Sequence, residues 1–202
     1  MSIWLAKDAL ILASQSRARQ MLLANAGIPF EAIPADIDER ALQKNSGLSA
    51  PGEIAKLLAR EKALWVSRQK PGRVVIGADQ TLALGSRLFS KPAGRAAAAE
   101  QLRLLAGNTH ELHSAFAVAR DGKVLFADVV TAGMTMRRLS DGEIEAYLDQ
   151  AGDAVTTSVG AYQLEGLGVH LFERIEGDHF TILGLPLLPL LAFLRSEGLV
   201  GF

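Results

Sequence analysis

The run from Val74 to Leu84, VVIGADQTLAL, constrains the fold most, because it is long and almost wholly apolar yet carries one acid at its centre. A continuous apolar run of this kind predicts a buried β-strand. Burying an unpaired carboxylate costs on the order of several kcal/mol, so an acid in such a strand is normally paired, bound to a metal ion or held for chemistry. The pattern also allows Asp79 to mark a strand end or a turn.

The composition is that of a compact globular protein with a sizeable core, since 49% of the 202 residues are hydrophobic and 21% are charged. No repeat, low-complexity tract or long linker divides the sequence, so we expect one domain over residues 1–202, in which any two lobes are tightly connected. A formal net charge of −1 gives no indication of a nucleic-acid partner, because proteins that bind polyanions usually carry a clear basic excess. The absence of cysteine excludes disulfides, zinc–thiolate sites and cysteine nucleophiles.

Both ends of the sequence argue against a membrane. The opening MSIWLAKDALILASQSRAR places an acid among its apolar residues and lacks the charged region and long apolar region of a secretory signal. The most apolar run near the other end, ILGLPLLPLLAFL, is too short to span a bilayer and contains two prolines. We therefore expect a cytoplasmic protein.

Strand and helix patterns alternate along the chain and predict a mixed α/β fold. ALILAS predicts a short strand, and Ser16 can cap a helix that ends near Gly27. PFEAIPADIDER has the alternation of an extended segment, and Ser140 with Glu143 forms a capping box for a helix that runs to Gln150. Further helices are predicted in SAPGEIAKLLAREKALWVSRQ, GRAAAAEQLRLLAGN and LPLLPLLAFLRSEG, and further strands in VVIGADQTLAL, VHLFERIEG and a hairpin that turns at Asp121-Gly122.

The common motifs of nucleotide binding and hydrolysis are missing, since the sequence has no GxxxxGK[ST], GxGxxG, HExxH or GxSxG. His110 and His113 lie three apart in a predicted strand, where their side chains point to opposite faces, so we do not expect them to share a metal ion. His170 and His179 are expected to be structural or surface residues. What is left is a set of acids and cationic side chains, which suits a hard cation such as Mg²⁺ and a phosphate substrate.

The junction between the first strand and the first helix carries Ser14, Ser16, Arg17 and Arg19. Free backbone N–H groups and cationic side chains at such a junction can hold phosphate oxygens. The same residues also suit a simple helix cap with surface arginines.

The remaining candidates for metal or phosphate binding are charged residues, and each of them could instead be an ordinary solvent-exposed residue. The segment ADIDER crowds Asp36, Asp38 and Glu39 together, which suits a metal-binding edge or a solvated loop. Lys62 on a predicted helix and Lys91 before a proline could bind a phosphate or be plain surface charges.

Several motifs in a fixed order resemble the Maf family of nucleoside triphosphate pyrophosphatases, and the resemblance runs from about Leu10 to Gly198. They are LILASQSRARQMLL, IPADIDER, LAREKAL, VVIGADQTLALGSRLFSKP and GAYQLEGLGVHLFERIEGDHFTILGLPL. The resemblance implies an α/β fold similar to that of inosine triphosphatases, with an elongated mixed β-sheet flanked by helices and two lobes around a central cleft. It also implies a cytoplasmic enzyme, often a homodimer, that uses Mg²⁺ or Mn²⁺ to split the α–β phosphate bond of modified or excess nucleotides.

The resemblance further implies a role for each residue at a matching position. Asp79 would be the proton acceptor, Lys91 would hold the triphosphate, and Glu39 would support the metal ion or the attacking water. Asp79 and Glu39 would be the metal ligands. The residues implied to bind the substrate are Ser14, Arg19, Lys62, Gln80 and Glu165.

Three positions depart from the most familiar family pattern. Ala18 replaces one of two motif arginines, so one phosphate contact is lost unless Arg17 supplies it. Gln80 and Glu165 stand where the branch similar to dTTP/UTP-cleaving members has Thr and Gln, and they are more like the branch that acts on 7-methyl-GTP. A Glu that faces the base can accept hydrogen bonds from guanine N1–H and the N2 amino group, so we expect a preference for guanine-type or methylated purine triphosphates.

A second function stays open at this point. Maf-like proteins have also been linked to septum formation and cell-division arrest, so the alternative is a nucleotide-binding regulator with little catalytic activity. The presence of Asp79, Lys62 and Lys91 favours the enzyme, because a pure sensor has no need of a general base.

Overall fold

The structure is a computed structural model that describes residues 3–201. These residues form one seven-stranded sheet. Its strands are β1 (Leu10–Leu12), β2 (Phe30–Ala32), β3 (Val75–Leu84), β4 (Arg87–Phe89), β5 (Thr109–Arg120), β6 (Lys123–Met136) and β7 (Phe172–Glu176).

Seven α-helices accompany the sheet within the same residues. They are α1 (Arg17–Asn25), α2 (Glu39–Ser46), α3 (Pro51–Gln69), α4 (Arg95–Leu105), α5 (Asp141–Ala151), α6 (His179–Ile182) and α7 (Leu187–Ser196). Short 3₁₀-helices cover Gly152–Thr156, Val159–Ala161 and Leu167–Leu171. None of the helices described between residues 3 and 201 is long and apolar enough to cross a membrane.

The sheet is mixed, with the order β2-β1-β3-β5-β6-β7 and with β4 paired to β3. β1 pairs in parallel with β2 (Leu10 opposite Phe30) and with β3 (Ile11 opposite Val75). β4 and β7 run antiparallel to their neighbours β3 and β6, and the register between β6 and β7 shifts between Thr135 and Met136 of β6. The predicted α/β fold with a mixed sheet flanked by helices is therefore confirmed.

The helix caps form as the sequence predicts. The Ser16 hydroxyl accepts a hydrogen bond from the Arg19 backbone N–H at the start of α1. The capping box of α5 is complete, because Ser140 and Glu143 each accept a backbone hydrogen bond from the other. Two orphan donors are satisfied in this way, so the N-terminus of α5 is fixed locally.

Two extended segments were predicted too long. The expectation for PFEAIPADIDER was wrong at its end, because α2 begins at Glu39 and the Asp38 carboxylate caps it by accepting the Ala41 N–H. The expectation for VHLFERIEG was wrong at its start, because Leu167–Leu171 is a 3₁₀-helix and the strand begins only at Phe172.

The chain forms two compact units, each assembled from separate stretches. Within the described residues, unit 1 comprises 3–80, 114–130 and 183–201, and unit 2 comprises 81–113 and 131–182. The core of unit 2 is built from β-strand and helix residues such as Leu82, Leu102, Met134 and Leu148. The expected single domain over 1–202 stays a prediction.

One buried cluster in the core of unit 1 is built from small residues. The α3 alanines Ala55, Ala59 and Ala63 pack in one buried cluster with alternate alanines of β5, namely Ala115, Ala117 and Ala119. Small side chains let a helix backbone approach a sheet closely, and this approach positions the polar residues of α3 against the sheet.

Candidate functional site

Gly77 sets the distance between β3 and α3. A Cβ atom at Gly77 would lie 2.1 Å from the Ala59 carbonyl oxygen and 2.5 Å from the Ala63 nitrogen, both atoms of the α3 backbone. Only glycine fits this gap. The residue two places along β3, Asp79, therefore stands next to a helix that is held unusually close.

Lys62 of α3 joins two carboxylates through one ammonium group. Its Nζ atom lies 2.6 Å from Asp79 Oδ1 and 2.8 Å from Glu39 Oε1. The side chains of Lys62 and Asp79 are 12% and 11% exposed, whereas that of Glu39 is 49% exposed. Asp79 is thus a buried acid paired with a cation, and Glu39 connects the pair to solvent.

Burial raises the pKa of the Asp79 carboxyl above its ordinary value, because desolvation disfavours the charged form. The charges of Lys62 and Arg19 and the hydrogen bond from Lys62 oppose this shift, and the Glu39 charge adds to it. A carboxylate whose pKa is raised above its ordinary value is a stronger base than an ordinary Asp.

Arg19 of α1 is fixed by three hydrogen bonds to neighbouring groups of unit 1. Its Nε donates to the Gly184 carbonyl at 2.7 Å, and its Nη1 donates to the Ala78 carbonyl at 2.9 Å and to Ser14 Oγ at 3.2 Å. Burial lowers the pKa of Arg19, while the charges of Asp79 and Glu39 oppose this shift. The guanidinium therefore anchors the backbone one residue before Asp79.

Ser14 and Ser16 belong to the same junction. Ser14 is buried, and its hydroxyl accepts from the Ser16 backbone N–H at 3.2 Å as well as from Arg19. Arg17 is exposed at the first position of α1, and Ala18 follows it. The helix cap expected at this junction is present, and the phosphate contact of Ser14 and Arg19 stays a prediction.

Gln80 follows Asp79 on β3, and its amide donates to the hydroxyl of the buried Ser114 at 2.7 Å. A Cβ atom at Gly184 would lie 3.3 Å from Arg19 Nε and 3.7 Å from Gln80 Oε1. Gly184 has φ +90°, a conformation that favours glycine. The turn at Gly184 therefore lies directly against two of the predicted site residues.

The structure thus brings Ser14, Arg19, Glu39, Lys62, Asp79 and Gln80 into unit 1, where Lys62 bridges two of them. Lys91 and Glu165 belong to unit 2. Lys91 is exposed in the segment after β4, and Glu165 is exposed in a turn before the 3₁₀-helix Leu167–Leu171. Their roles toward the substrate stay predictions.

Histidine contributes no metal cluster in the part of the chain described. His110 is buried and its Nε2 lies 2.7 Å from the Tyr162 hydroxyl, while His113 lies 3.2 Å from a Glu111 oxygen. Burial lowers the pKa of His110 to about 4, so it is neutral at physiological pH. Among residues 3–201 there is no group of three or more acids, histidines or cysteines placed to hold a metal ion.

Sequence reasoning missed the groups that hold Arg19 and Gln80. They are the carbonyls of Ala78 and Gly184 and the hydroxyl of Ser114. A backbone carbonyl has no sequence signature, and Ser114 lies in an ordinary strand pattern. The one usable indication was a glycine inside the apolar run TILGLPLL.

Comparison with protein families gives a match over most of the chain. The family described as "Maf: Maf-like protein" matches residues 9–197. The chain is 72% identical over 201 residues to a "Nucleoside triphosphate pyrophosphatase" of Bradyrhizobium diazoefficiens and 71% identical over 201 residues to one of Rhodopseudomonas palustris, and each alignment covers 100% of both chains. It is also 53% identical over 196 residues to a "7-methyl-GTP pyrophosphatase" of Mesorhizobium japonicum, covering 96% of this chain and 98% of that relative.

Proposed function

Since this chain belongs to the Maf family, we propose that it hydrolyses nucleoside triphosphates at the α–β phosphate bond, releasing a nucleoside monophosphate and pyrophosphate. The observation that carries the proposal is the buried Asp79 carboxylate bound to Lys62, which in turn binds Glu39. A paired acid of raised pKa beside fixed cations has the charge pattern that phosphoryl chemistry requires.

Asp79 would act as the general base of the reaction. It would orient a water molecule and accept its proton as the water oxygen attacks phosphorus and the anhydride oxygen leaves with pyrophosphate. Lys62 and the anchored Arg19 would place positive charge where negative charge develops on the phosphate oxygens. No covalent intermediate on the protein is required.

A divalent cation fits the acids that are present. Mg²⁺ is usually held by one or two carboxylates together with the phosphates of a substrate, and Asp79 and Glu39 supply two carboxylates that meet at one ammonium group. We therefore infer that Asp79 and Glu39 would hold Mg²⁺ or Mn²⁺. When bound, the cation would neutralise charge on the phosphates in the transition state.

The proposal also covers which nucleobase the enzyme prefers. We infer a guanine-type or methylated purine base, because Glu165 is an exposed acceptor for N1–H and the N2 amino group. The 53% identity to a protein named 7-methyl-GTP pyrophosphatase supports this choice. We also propose that Lys91 binds the triphosphate. We further propose that the enzyme is a homodimer, and sedimentation of the purified protein would test this oligomeric state.

The test is pyrophosphate release from a panel of triphosphates, including GTP, 7-methyl-GTP, dTTP and UTP, with Mg²⁺ or Mn²⁺. We expect turnover of several members and the highest kcat/KM for a purine of the guanine type. A clear preference for dTTP and UTP would remove the base assignment and leave the reaction intact. Binding of a triphosphate without turnover of any would favour the regulatory function instead.

Two variants connect the activity to Asp79. Asp79→Asn keeps the size of the side chain but removes the basic oxygen, so kcat should fall by about 10²-fold or more while substrate binding largely survives. Asp36→Asn removes an exposed carboxylate three residues before Glu39 in the sequence and serves as the matched control, for which we expect an unchanged kcat. Normal turnover in Asp79→Asn, with the fold checked by thermal unfolding, would place the general base elsewhere.

A further inference from the structure

One ammonium group stands where two carboxylates converge. Lys62 Nζ lies within 2.8 Å of an oxygen of Glu39 and of Asp79, and the Lys62 and Asp79 side chains are nearly excluded from water. The two carboxylates carry two negative charges, and the ammonium group of Lys62 neutralises one of them. Part of the attraction of these two carboxylates for a cation is therefore already satisfied by Lys62.

A hard cation bound by the same oxygens would come close to Lys62 Nζ. Two positive charges a few ångströms apart repel one another strongly in a site of low polarity. The two carboxylates can therefore bind and neutralise either the lysine or the metal ion fully, but not both at once. The α3 backbone is held in place, because its alanines pack in the buried cluster with the alanines of β5 and its backbone lies close against β3 at Gly77.

The side chain of Lys62, in contrast, is a flexible four-carbon stem that ends in a compact ammonium group. This group can therefore move from one anionic partner to another while α3 stays in place. A triphosphate brings several anionic oxygens that offer the ammonium group new acceptors. It also supplies the further oxygen ligands that Mg²⁺ or Mn²⁺ requires beyond two carboxylates.

We propose that Lys62 is an internal counter-ion that blocks the Asp79–Glu39 carboxylates to free divalent cations, so that the cation binds them only together with the triphosphate. The proposal rests on the proposed function for its substrate class. Lys62 then has two states: it neutralises the carboxylates in the free protein and binds phosphate oxygens in the complex. The protein thereby avoids holding a metal ion at Asp79 when no substrate is present.

The first experiment measures Mn²⁺ binding to the protein without nucleotide by isothermal titration calorimetry. Lys62→Met keeps an unbranched side chain, one atom shorter, and removes its charge, and we expect it to bind Mn²⁺ about tenfold tighter or more than the wild type. Lys56→Met removes a charge from the same helix six residues before Lys62, and the ion pairs of Glu39 and Asp79 are made by Lys62, so this variant should bind Mn²⁺ as the wild type does. The double variant Lys62→Met/Asp79→Asn should lose the gain.

Equal or weaker Mn²⁺ binding by folded Lys62→Met, compared with the wild type, would overturn the proposal. So would a gain of the same size in Lys56→Met. These titrations involve no turnover, so they can fail while pyrophosphate release is intact, and they can succeed when no triphosphate in the panel is hydrolysed.

The second experiment needs only the wild-type protein and covers the case in which Lys62→Met does not fold. Mn²⁺ is titrated with and without a saturating α,β-methylene analogue of GTP, which cannot be cleaved at the α–β position. We expect the analogue to tighten Mn²⁺ binding about tenfold or more, and Mn²⁺ to tighten binding of the analogue by the same factor. Wild-type protein that binds Mn²⁺ equally tightly in both conditions would contradict the proposal.

Discussion

Gly77→Ala should loosen the packing of α3 on β3 and with it the pairing of Lys62 with Asp79. The added methyl group would begin 2.1 Å from the Ala59 carbonyl oxygen, and contacts of a real Cβ atom stay above 3.0 Å. The helix or the strand must therefore move by about 1 Å, since the blocking atoms are backbone and cannot rotate away.

The cost should lie at the upper end of the range for overpacked cores, at about 3 kcal/mol or more. For a chain of this size, that corresponds to a fall in Tm of about 6–12 °C. Displacement of a catalytic group by about 1 Å can lower the rate by on the order of 10²-fold, so kcat/KM should fall as well.

Thermal unfolding and steady-state turnover of the variant measure the two effects. Gly142→Ala is the control, because a Cβ atom at that position in α5 meets nothing within 4 Å. It should leave activity unchanged and raise stability by up to about 1 kcal/mol. If Gly77→Ala kept the Tm and the kcat/KM of the wild type, the close approach of α3 would not be what sets the geometry at Asp79.

Three further predictions concern other parts of the chain. His110 has a folded pKa of about 4 against an ordinary value of 6.5, so its contribution to stability is full above pH 6.5 and is lost as the pH falls through 4. His110→Gln does not titrate, so the wild type should lose about 3 kcal/mol more unfolding free energy than the variant between pH 7 and pH 4, measured by urea unfolding. Ser140→Ala removes the cap of α5 and should lower the unfolding free energy by about 1 kcal/mol in the same assay. Lys91→Ala should lower kcat/KM for the best triphosphate by about 30- to 1,000-fold if this lysine holds the triphosphate.

Each of these expectations has a clear contrary result. Parallel pH profiles of wild type and His110→Gln would show that the His110 proton does not control acid stability. An unchanged midpoint in Ser140→Ala would mean that other contacts hold the start of α5. Wild-type kcat/KM in Lys91→Ala would leave Lys91 as surface charge.

Local sequence features, such as helix caps and turn residues, were sufficient to predict most of the helices and strands. Ser16 and Ser140 fixed two helix starts, and the turn at Asp121-Gly122 was predicted from a residue pair that tolerates the positive φ values found there. α2 was missed because only two of its eight residues, Ala41 and Leu42, are apolar and none is buried, which is too few to show a helical pattern. The 3₁₀-helix Leu167–Leu171 was missed because its apolar residues resemble the strand that follows.

The residues of the candidate site could be predicted from the sequence, but the contacts between them could not. An acid in the apolar strand at Asp79 indicated a partner, yet that partner could have been a metal ion, a cation or neither. The choice of Lys62 follows from how closely α3 packs at Gly77, which is a property of the folded core. The bond from Arg19 to the Gly184 carbonyl joins residues 165 positions apart, and no local pattern encodes such a pairing.

That long separation has a consequence for the order of events on the ribosome. Arg19 is synthesised near the beginning of the chain and its carbonyl partner Gly184 near the end, 165 residues later. At about 5–20 residues per second, the guanidinium waits roughly 8–33 seconds for this acceptor to be made. A nascent chain that terminates before Gly184, or a product clipped before it, therefore contains Asp79, Lys62 and Glu39 but lacks one of the three hydrogen bonds that anchor Arg19.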